Sequence, residues 1–504
     1  MSKHDTICAV STASGMGAIA VIRISGTDSF KTALYIFRKN GKQLNINDIE
    51  PNKAYYGEIF DPIPDDKPMV DEVLVTFFKA PHSYTGEDSL EISCHGSYFV
   101  QQKILELLFT RGCRLAEPGE FSKRAFINGK LDLAQAEAVA DLIASQNETE
   151  HKIAVNQLKG GFSNELRDLR AKLVDLTSLL ELELDFSEED VEFADRSKLK
   201  ELLDTVQNHI GKLTDSFRLG NAIKNGIPVA IVGETNTGKS TLLNAILGEE
   251  RAIVSDIEGT TRDTIEETFN IGGTLYRFID TAGIRETSET IEKIGIERTF
   301  KKISEADIVI GMIDGSKTIK NIIKSWKEIV SHVNVLTQKL IIVINKSDLM
   351  EAGTMFSLND DYLHYMKSTY ENNIEKHGGY MTDEYCYSIT GMDLHNICDL
   401  MTFMYLSAKK AEEVESLKNE IRYYTKSYKI GTNDVLVTNM RHYEALMNAK
   451  ASLEQVKNGI ENKLSADLLA EDLRQALYHI GSITGEVTNG EVLNNIFSRF
   501  CIGK

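Results

Sequence analysis

Short apolar runs alternate with longer apolar stripes along this chain, and the change from one to the other marks its organisation. In residues 1–130 the runs are short and predict three strands and one helix, namely Ala18–Ile24, Asp71–Phe78, Ser89–Cys94 and the helix Tyr98–Phe109. From residue 131 to residue 225 apolar side chains recur at helical spacing instead. The pattern therefore predicts an α+β domain followed by helices.

The pattern changes again at Ile227–Val232, an apolar run typical of a buried strand. Similar runs at Ile308–Ile313 and Leu340–Ile344 alternate with helical patterns, which indicates a doubly wound α/β domain. In such a domain the ligand lies at the carboxyl ends of the strands. From about Leu400 the pattern is helical to the end of the chain, most clearly in the amphipathic stretch Leu464–Ile483.

The helical stretches lie on both sides of the α/β stretch. We therefore predict a multidomain α/β + α protein with an N-terminal α+β domain at residues 1–130. A discontinuous helical domain, residues 131–225 and 426–504, would be interrupted by an inserted doubly wound domain at 226–425.

Charge and cysteine content narrow the possible partners. The 504 residues include 56 basic and 75 acidic side chains, and the net charge of −19 argues against nonspecific nucleic-acid binding by the whole surface. None of the six cysteines forms a C-x-x-C pair, so neither a zinc site nor a disulfide framework is expected. The N-terminus lacks signal or transit features and no apolar run has membrane-spanning length, so we expect a cytoplasmic protein without membrane contact.

The stretch Gly233–Ser240 has the G-x-x-x-x-G-K-[ST] pattern of a phosphate-binding loop. It follows the predicted strand Ile227–Val232 and precedes a predicted helix, Thr241–Gly248, so its backbone N–H groups can converge on phosphate oxygens. Lys239 is expected to reach the β- and γ-phosphates, and the Ser240 hydroxyl to bind Mg²⁺. This stretch predicts a P-loop nucleotide-binding domain.

Later segments extend the predicted site and indicate which nucleotide base it binds. Thr261 offers a second hydroxyl for Mg²⁺, and Asp280–Gly283 can hold a Mg²⁺ water and meet the γ-phosphate. In the N-K-x-D pattern of Asn345–Asp348, the Asp348 carboxylate can accept hydrogen bonds from N1–H and N2–H₂ of guanine, which adenine cannot offer. Asn345 is expected to bond N7 and Lys346 to cover the ring, so the predicted ligand is GTP rather than ATP.

The hydrolytic group is less obvious. Many GTPases orient the attacking water with a glutamine directly after D-x-x-G, but here that residue is Ile284. The acid or base must come from elsewhere, and Glu286, Glu289 and Glu292 are candidates. At the position where G domains usually carry Ser-Ala-Lys we place Ser388–Thr390, whose backbone N–H would meet guanine O6.

Further motifs lie near both ends of the chain. With the nucleotide motifs they form the set Ile22–Gly26, Ser83–Asp88, Pro118–Phe121, Lys130–Ala138, Gly233–Ser240, Gly259–Asp263, Asp280–Arg285, Ile294–Arg298 and Phe500–Lys504. This combination resembles the tRNA-modification GTPase family MnmE, also called TrmE. The resemblance covers essentially the whole chain, although the segment Met350–Tyr387 is longer than usual for the family.

The resemblance implies a GTPase that forms homodimers through its N-terminal domain and works with the FAD-dependent partner MnmG. Such proteins build aminomethyl or carboxymethylaminomethyl groups on C5 of the wobble uridine of certain tRNAs. They bind formyl- or methylene-tetrahydrofolate in the N-terminal domain, at positions that correspond here to Arg23, Glu91, Lys130 and Lys504. Cations suit the carboxylates of a folate, and a carboxylate suits the N–H donors of its pterin.

The resemblance also implies that K⁺ supplies positive charge where other GTPases use an arginine. Its ligands would be Asn236 with Ser255, Ile257 and Thr260. Glu292 corresponds to the family's catalytic glutamate, which orients water when two G domains meet.

Two cysteines are of interest. Cys501 is either a catalytic group for uridine C5, as discussed for the family, or a small buried residue, and both roles stay open. A prenylation signal is not expected, because Lys504 is a poor last residue for one. A nucleophilic Cys94 is not expected either, since it and His95 are neighbours on a strand and face opposite sides.

An alternative function also stays open, namely a GTP-dependent binding switch in ribosome or RNA assembly that performs no modification chemistry. The folate-type residues and the end of the chain favour the modifying enzyme. In either case the predicted GTP-binding residues are Asn236, Thr237, Gly238, Lys239, Ser240, Thr241, Ser255, Asp256, Ile257, Glu258, Gly259, Thr260, Thr261, Asp280, Thr281, Ala282, Gly283, Asn345, Lys346, Asp348 and Ser388.

Overall fold

The structure is a computed structural model that describes residues 5–62, 68–185, 196–250, 267–272, 274–279, 303–334, 338–350, 358, 401–426, 435–462, 464–487, 490–498 and 500–503. The chain forms two compact units. The first comprises Met1–Ala144, Ile153–Thr214 and Arg441–Lys504, and the second comprises Ser145–Lys152 and Asp215–Met440. No helix in these ranges has the length and hydrophobicity needed to cross a membrane.

The first unit contains a seven-stranded sheet. Its strands are β1 (Ile7–Val10), β2 (Ile19–Ser25), β3 (Phe37–Arg38), β4 (Ala54–Phe60), β5 (Met69–Phe78), β6 (Ser89–His95) and β7 (Arg114–Leu115). They lie in the order β3-β4-β5-β6-β2-β1-β7, and all neighbours are antiparallel except β1 and β7. The three strands predicted here are confirmed with ends shifted by one or two residues.

One face of this sheet forms a hydrophobic core, because apolar side chains alternate along its strands. Ile22, Val75 and Ile92 are fully buried on that face. Helices α1 (Ser29–Ile36) and α2 (Tyr98–Phe109) contribute side chains to the same core. The limits of α2 are those predicted.

Helices follow the sheet, as predicted from the spacing of apolar residues. They are α3 (Glu120–Ile127), α4 (Leu133–Ala144), α5 (Glu148–Leu158), α6 (Gly161–Asp185) and α7 (Arg196–Asn225). On α6, Leu166, Leu169, Leu173 and Leu176 recur at helical spacing and are buried.

The second unit contains a six-stranded sheet. Its elements are β8 (Ile227–Val232), α8 (Lys239–Glu250), β9 (Glu267–Ile271), β10 (Thr274–Phe278), β11 (Ile308–Asp314), α9 (Ile319–Val330), β12 (Lys339–Asn345), β13 (Met401–Leu406) and α10 (Ala411–Lys426). The strand order is β13-β12-β11-β8-β10-β9, and every neighbouring pair is parallel except the β9–β10 hairpin. Buried clusters lie on both faces, as expected for a doubly wound sheet.

Strand β13 corrects one prediction. The sequence pattern predicted helix from about Leu400, but Met401–Leu406 pairs with β12 along its whole length. Six residues are too few to separate a buried strand from a helix by period alone, and the pairing with a distant strand decides the outcome. The helix begins only at Ala411.

The chain then returns to the first unit through three helices, α11 (Met440–Glu461), α12 (Ala466–Thr484) and α13 (Gly490–Phe497). The predicted amphipathic helix is α12, which packs along α6. A buried ion pair joins α4 to α11, since the Glu137 carboxylate accepts hydrogen bonds from Arg441 and lies 2.6 Å from His442 Nε2. Burial would raise the pKa of Glu137, but the charges and hydrogen bonds of His442 and Arg441 outweigh it and lower that pKa to about 2.

Candidate functional sites

The phosphate loop joins β8 to α8 and needs glycine at two positions. Gly233 and Gly238 have φ angles of 150° and 99°. A Cβ atom at Gly233 would lie 2.2 Å from the backbone oxygen of Met312, and one at Gly238 would lie 2.2 Å from Asn345 Nδ2. Both glycines are therefore required by conformation and by close packing. Asn236, the predicted K⁺ ligand, is exposed and also has a positive φ, 62°.

Side chains of the loop hold it in shape. Lys239 Nζ donates hydrogen bonds to the backbone oxygens of Gly233 at 2.8 Å and Glu234 at 2.6 Å. Thr237 Oγ1 donates to the same Glu234 oxygen at 2.9 Å. Because α8 begins at Lys239, Ser240 lies in its first turn, where the helix dipole favours an anion. A lysine, a helix N-terminus and a serine hydroxyl together suit a Mg²⁺-bound phosphate chain.

Glu234 connects the phosphate loop to helix α9 and to the loop that precedes it. Its carboxylate accepts a hydrogen bond from Ser325 Oγ of α9 at 2.6 Å and pairs with Lys317. The hydrogen bond from Lys317 and that from Ser325 lower the pKa of Glu234. The loop is thus fixed at its first variable position by charge and hydrogen bonding.

Asn345, the last residue of β12, connects the phosphate loop to the segment after β13. Its Nδ2 donates to the Thr237 oxygen at 2.7 Å, and its Oδ1 accepts from the Ala408 N–H at 2.9 Å. The residue is only 3% exposed, so its orientation is set by these two bonds. The contact with guanine N7 stays a prediction and would be made from this braced position.

Lys346 and Asp348 occupy the turn after β12. Lys346 has a positive φ of 63°, and its Nζ lies 2.5 Å from Asp314 Oδ2 at the end of β11. Burial would raise the pKa of Asp314, but hydrogen bonds from Lys346 and Ser316 outweigh it and lower that pKa. Asp348 lies in a short 3-10 turn, Ser347–Leu349, and is exposed to solvent.

A further candidate segment follows β13. Ser407-Ala408-Lys409 comes directly after this strand, and the β12–β13 register places Leu406 opposite Asn345. The triplet therefore lies beside Asn345 at the carboxyl edge of the sheet, and it has the Ser-Ala-Lys sequence that G domains usually carry. The helical interpretation of residues after Leu400 hid this signal, and the prediction for Ser388–Thr390 lies outside the described residues.

Some predicted residues lie outside the described ranges, so their roles stay predictions. The described part of the nucleotide site consists of the phosphate loop and the two segments at the ends of β12 and β13. The residues outside it are Ser255, Asp256, Ile257, Glu258, Gly259, Thr260, Thr261, Asp280, Thr281, Ala282, Gly283, Glu286, Glu289, Glu292, Ser388 and Lys504.

A second candidate site lies on the first unit's sheet. Arg23 of β2 is opposite Glu91 of β6, and its Nε and Nη2 donate to Glu91 Oε1 at 3.0 and 2.8 Å. The Arg23 guanidinium also lies over the rings of Tyr84, at 5.1 Å, and Phe121, at 5.7 Å. A cation, a carboxylate and two aromatic rings are thus brought together from four separate parts of the chain.

Lys130 is attached to the loop that carries Tyr84. Its Nζ donates to the Pro81 oxygen at 3.0 Å, while Asn128 Nδ2 donates to the Thr85 oxygen at 2.7 Å. Both bonds anchor the segment after α3 to the loop between β5 and β6. The structure thus links two predicted folate residues, Lys130 and Arg23, through this loop.

The end of the chain lies against β1. Ser11 Oγ donates to the Gly503 oxygen at 3.0 Å, and a Cβ atom at Gly503 would be 2.3 Å from the Val10 oxygen. The neighbour of Val10 in β1, Ala9, pairs with Arg23. Residues just before Lys504 are therefore held close to the strand that carries Arg23. The Cys501 thiol is exposed, so this cysteine is not a small buried residue.

Cys94 agrees with the expectation that it is not a nucleophile. It is 3% exposed, and burial together with the Asp71 charge raises the pKa of its thiol to about 11. Its neighbour His95 points elsewhere, with Nδ1 2.6 Å from Asp71 Oδ1.

The matches to known proteins cover both the N-terminal and the helical parts of the chain. The family profile of the MnmE helical domain matches residues 133–501, and that of the GTP-binding protein TrmE N-terminus matches residues 6–130. The tRNA modification GTPase MnmE of Bacteroides thetaiotaomicron is 48% identical over 503 residues, which cover 99% of this chain and 100% of the relative. That of Flavobacterium johnsoniae is 48% identical over 509 residues and covers all of both chains.

A solved structure of Aquifex aeolicus Era is 24% identical, with a TM-score of 0.26 over 45% of this chain and 66% of that one, a likeness too slight to carry an argument. The family matches and the two relatives instead span nearly the whole chain. This chain belongs to the MnmE (TrmE) family of tRNA modification GTPases.

Proposed function

We propose that this chain is a K⁺-activated GTPase that, with an FAD-dependent MnmG-type partner, modifies C5 of the wobble uridine of certain tRNAs. The product carries a (carboxymethyl)aminomethyl-type group whose one-carbon unit comes from a formyl- or methylene-tetrahydrofolate. The observation that carries the proposal is the presence in one chain of a braced phosphate loop and of the Arg23–Glu91 pair flanked by Tyr84 and Phe121.

The nucleotide is held through its guanine and its phosphates. Asp348 accepts hydrogen bonds from guanine N1–H and N2–H₂, and the Lys409 backbone N–H meets O6, because the Ala408 N–H already donates to Asn345 Oδ1. The assignment of 407–409 rests on the register of β13 with β12 and on the Asn345–Ala408 bond of 2.9 Å. At the other end of the site, Lys239 contacts the β- and γ-phosphates, while Ser240 and Thr261 hold Mg²⁺.

Hydrolysis needs a group that orients the attacking water and a positive charge beside the phosphates. Ile284 cannot polarise water, so Glu292 would orient it when two G domains of a homodimer meet. K⁺, when bound by Asn236 with Ser255, Ile257 and Thr260, supplies fixed positive charge next to the phosphates. The exposed Asn236 amide, held at φ 62° by the loop, is consistent with a ligand presented by the loop itself.

The folate would bind on the first unit. Arg23, Lys130 and the terminal Lys504 suit the carboxylates of a folate, and Glu91 suits pterin N–H groups. Docking of Gly503 on Ser11 and Val10 supports a role for the chain end in this site. The exposed Cys501 in the same segment is a candidate catalytic group for uridine C5.

Single-turnover GTP hydrolysis in K⁺ and in Na⁺ tests the hydrolytic part of the proposal. Asn236→Ala should remove the advantage of K⁺, and Glu292→Ala should slow turnover about 10²–10³-fold with little change in nucleotide affinity. Equal wild-type rates in the two salts would refute the K⁺ role. A full-speed Glu292→Ala enzyme would move catalysis to Glu286, Glu289 or another group.

Folate binding and tRNA chemistry need separate measurements. Calorimetry with formyl-tetrahydrofolate should show binding that Arg23→Ala and Lys130→Ala weaken, while GTP binding stays intact. Mass analysis of wobble uridines in a deletion strain should show loss of the C5 group and its return with the wild-type gene. Unchanged uridines in the deletion strain would favour the alternative, a GTP-dependent binding switch without modification chemistry.

A further inference from the structure

Glu413 joins the two segments to which we assign the reading of guanine. It lies in the first turn of α10, just after Ser407–Lys409. Its Oε2 accepts hydrogen bonds from the Ser407 N–H at 2.6 Å and from Ser347 Oγ at 3.2 Å. Ser407 belongs to the segment after β13, and Ser347 is the residue before Asp348. One carboxylate oxygen therefore bridges both base-reading segments.

The carboxylate is itself held in place. Its Oε1 accepts a hydrogen bond from Lys410 Nζ at 2.8 Å, and this bond, the largest of several causes, lowers the pKa of Glu413. Ser407 is only 3% exposed, so its N–H has little access to water. The charged Glu413 oxygen is the strong hydrogen-bond acceptor that this N–H meets instead. Asn345 makes the parallel connection from the phosphate loop to Ala408.

We propose that Glu413 is a positioning residue for guanine specificity, which sets the distance between the Asp348 carboxylate and the Lys409 backbone donor. Guanine is recognised only if it meets both groups at once. Hypoxanthine lacks the 2-amino group, so it gains less from a correctly placed Asp348. Loss of the bridge should therefore weaken GDP binding more than IDP binding. This inference rests on the guanine assignment proposed above.

The chain supplies a matched control. Glu412 is the preceding residue in the same first turn and carries the same charge, but it is exposed. It lacks the position in the bridge that Glu413 Oε2 holds between Ser407 and Ser347. Glu412→Ala removes one negative charge at nearly the same place. Any effect of charge on phosphate binding should be common to Glu412→Ala and Glu413→Ala.

The experiment is calorimetric titration of the full-length chain with GDP and with IDP. We expect Glu413→Ala to weaken GDP binding by about ten-fold and to lower the GDP-over-IDP preference by about three-fold or more. Glu413→Gln keeps one acceptor oxygen and the side-chain volume, so it should fall between the wild type and Glu413→Ala. Glu412→Ala should stay within about two-fold of the wild type for both ligands.

Two further variants distinguish a failure of the positioning role from a failure of the guanine assignment. Ser347→Ala removes one arm of the bridge, and its effect on GDP binding should be largely absent when Glu413 is already alanine. If Glu413→Ala and Glu413→Gln fold but leave the GDP-over-IDP preference unchanged, the positioning role is refuted. If Asp348→Asn also leaves GDP binding unchanged, the guanine assignment itself fails.

Discussion

The two sheets of this protein differ in where their polar candidate-site residues lie along the strands. In the second unit's sheet, β11 and β12 are buried at every position, and Asp314 and Asn345 are their last residues. In the first unit's sheet, Arg23 and Glu91 lie in the middle of β2 and β6 and face each other across the ladder. The strands around them alternate between buried and partly exposed positions.

The difference follows from how each sheet is covered. A parallel sheet packed on both faces has no room for charge within its strands, so polar groups are confined to strand ends and loops. An antiparallel sheet with one core face can carry polar side chains along the other face. The nucleotide site therefore depends on where strands end, whereas the folate-type site depends on which residues pair across strands.

The largest effect is expected when a charge is placed in each sheet, and this experiment tests the comparison directly. Ile342, fully buried in β12, should not accept a charge, and Ile342→Lys should cost more than about 4 kcal/mol and unfold the second unit. Leu74 is 47% exposed on β5, and Leu74→Lys should change stability by less than about 1 kcal/mol. Urea unfolding of both variants measures the contrast. Equal losses would mean that the second face of the first sheet is covered as well.

The next effect concerns the buried charge of the first unit. Glu137→Gln leaves Arg441 and His442 without their charge partner and should cost about 3–5 kcal/mol at neutral pH. The folded pKa of Glu137, about 2, lies below its ordinary value of 4.5. Its stabilising contribution is therefore complete above about pH 4.5 and is lost as the pH falls toward 2.

Unfolding midpoints measured between pH 2 and pH 7 test this account. The wild type should lose stability across the window from pH 4.5 to pH 2 more steeply than Glu137→Gln. The exposed Glu471 on α12 provides the control, and Glu471→Gln should follow the wild type. A Glu137→Gln variant with the wild-type acid profile would contradict the assigned cause.

A smaller effect on stability, with a large effect on function, is expected at the phosphate loop. Gly233→Ala places a Cβ atom 2.2 Å from the Met312 backbone oxygen at a φ of 150°. The variant should lose about 2 kcal/mol or more and bind GDP poorly. Gly248 in α8 has open space where a Cβ atom would lie, so Gly248→Ala should gain about 1 kcal/mol and bind GDP normally. Thermal unfolding and GDP titration of both variants supply the measurements.

The smallest stability effect is expected at the proposed folate site in mid-strand. The Arg23–Glu91 pair is partly exposed, with side chains 23% and 32% accessible, so Arg23→Ala should cost no more than about 1 kcal/mol. Binding of formyl-tetrahydrofolate should nevertheless be weakened. A cost of several kcal/mol would show that the pair, with Tyr84 and Phe121, is chiefly a support of the sheet.

Local sequence patterns were sufficient to predict several elements of this protein. The limits of the strand Ile227–Val232 and of the helix Tyr98–Phe109 are the predicted ones. The phosphate loop was also predictable, because its strand, its glycines and its helix are contiguous in the chain. Here the chemistry depends on backbone conformation over a few residues, and the residue types that permit that conformation are few.

Other features were decided only when distant parts of the chain came together. Ser407–Lys409 lies beside Asn345 because β13 pairs with β12, and the short run Met401–Leu406 has no period that distinguishes a strand from a helix. The bridge from Glu413 to Ser347 likewise depends on side-chain geometry across that pairing. Sequence determined which groups were available for phosphate and guanine, whereas strand pairing decided which of them meet, because register is set by contacts between segments and not by either segment alone.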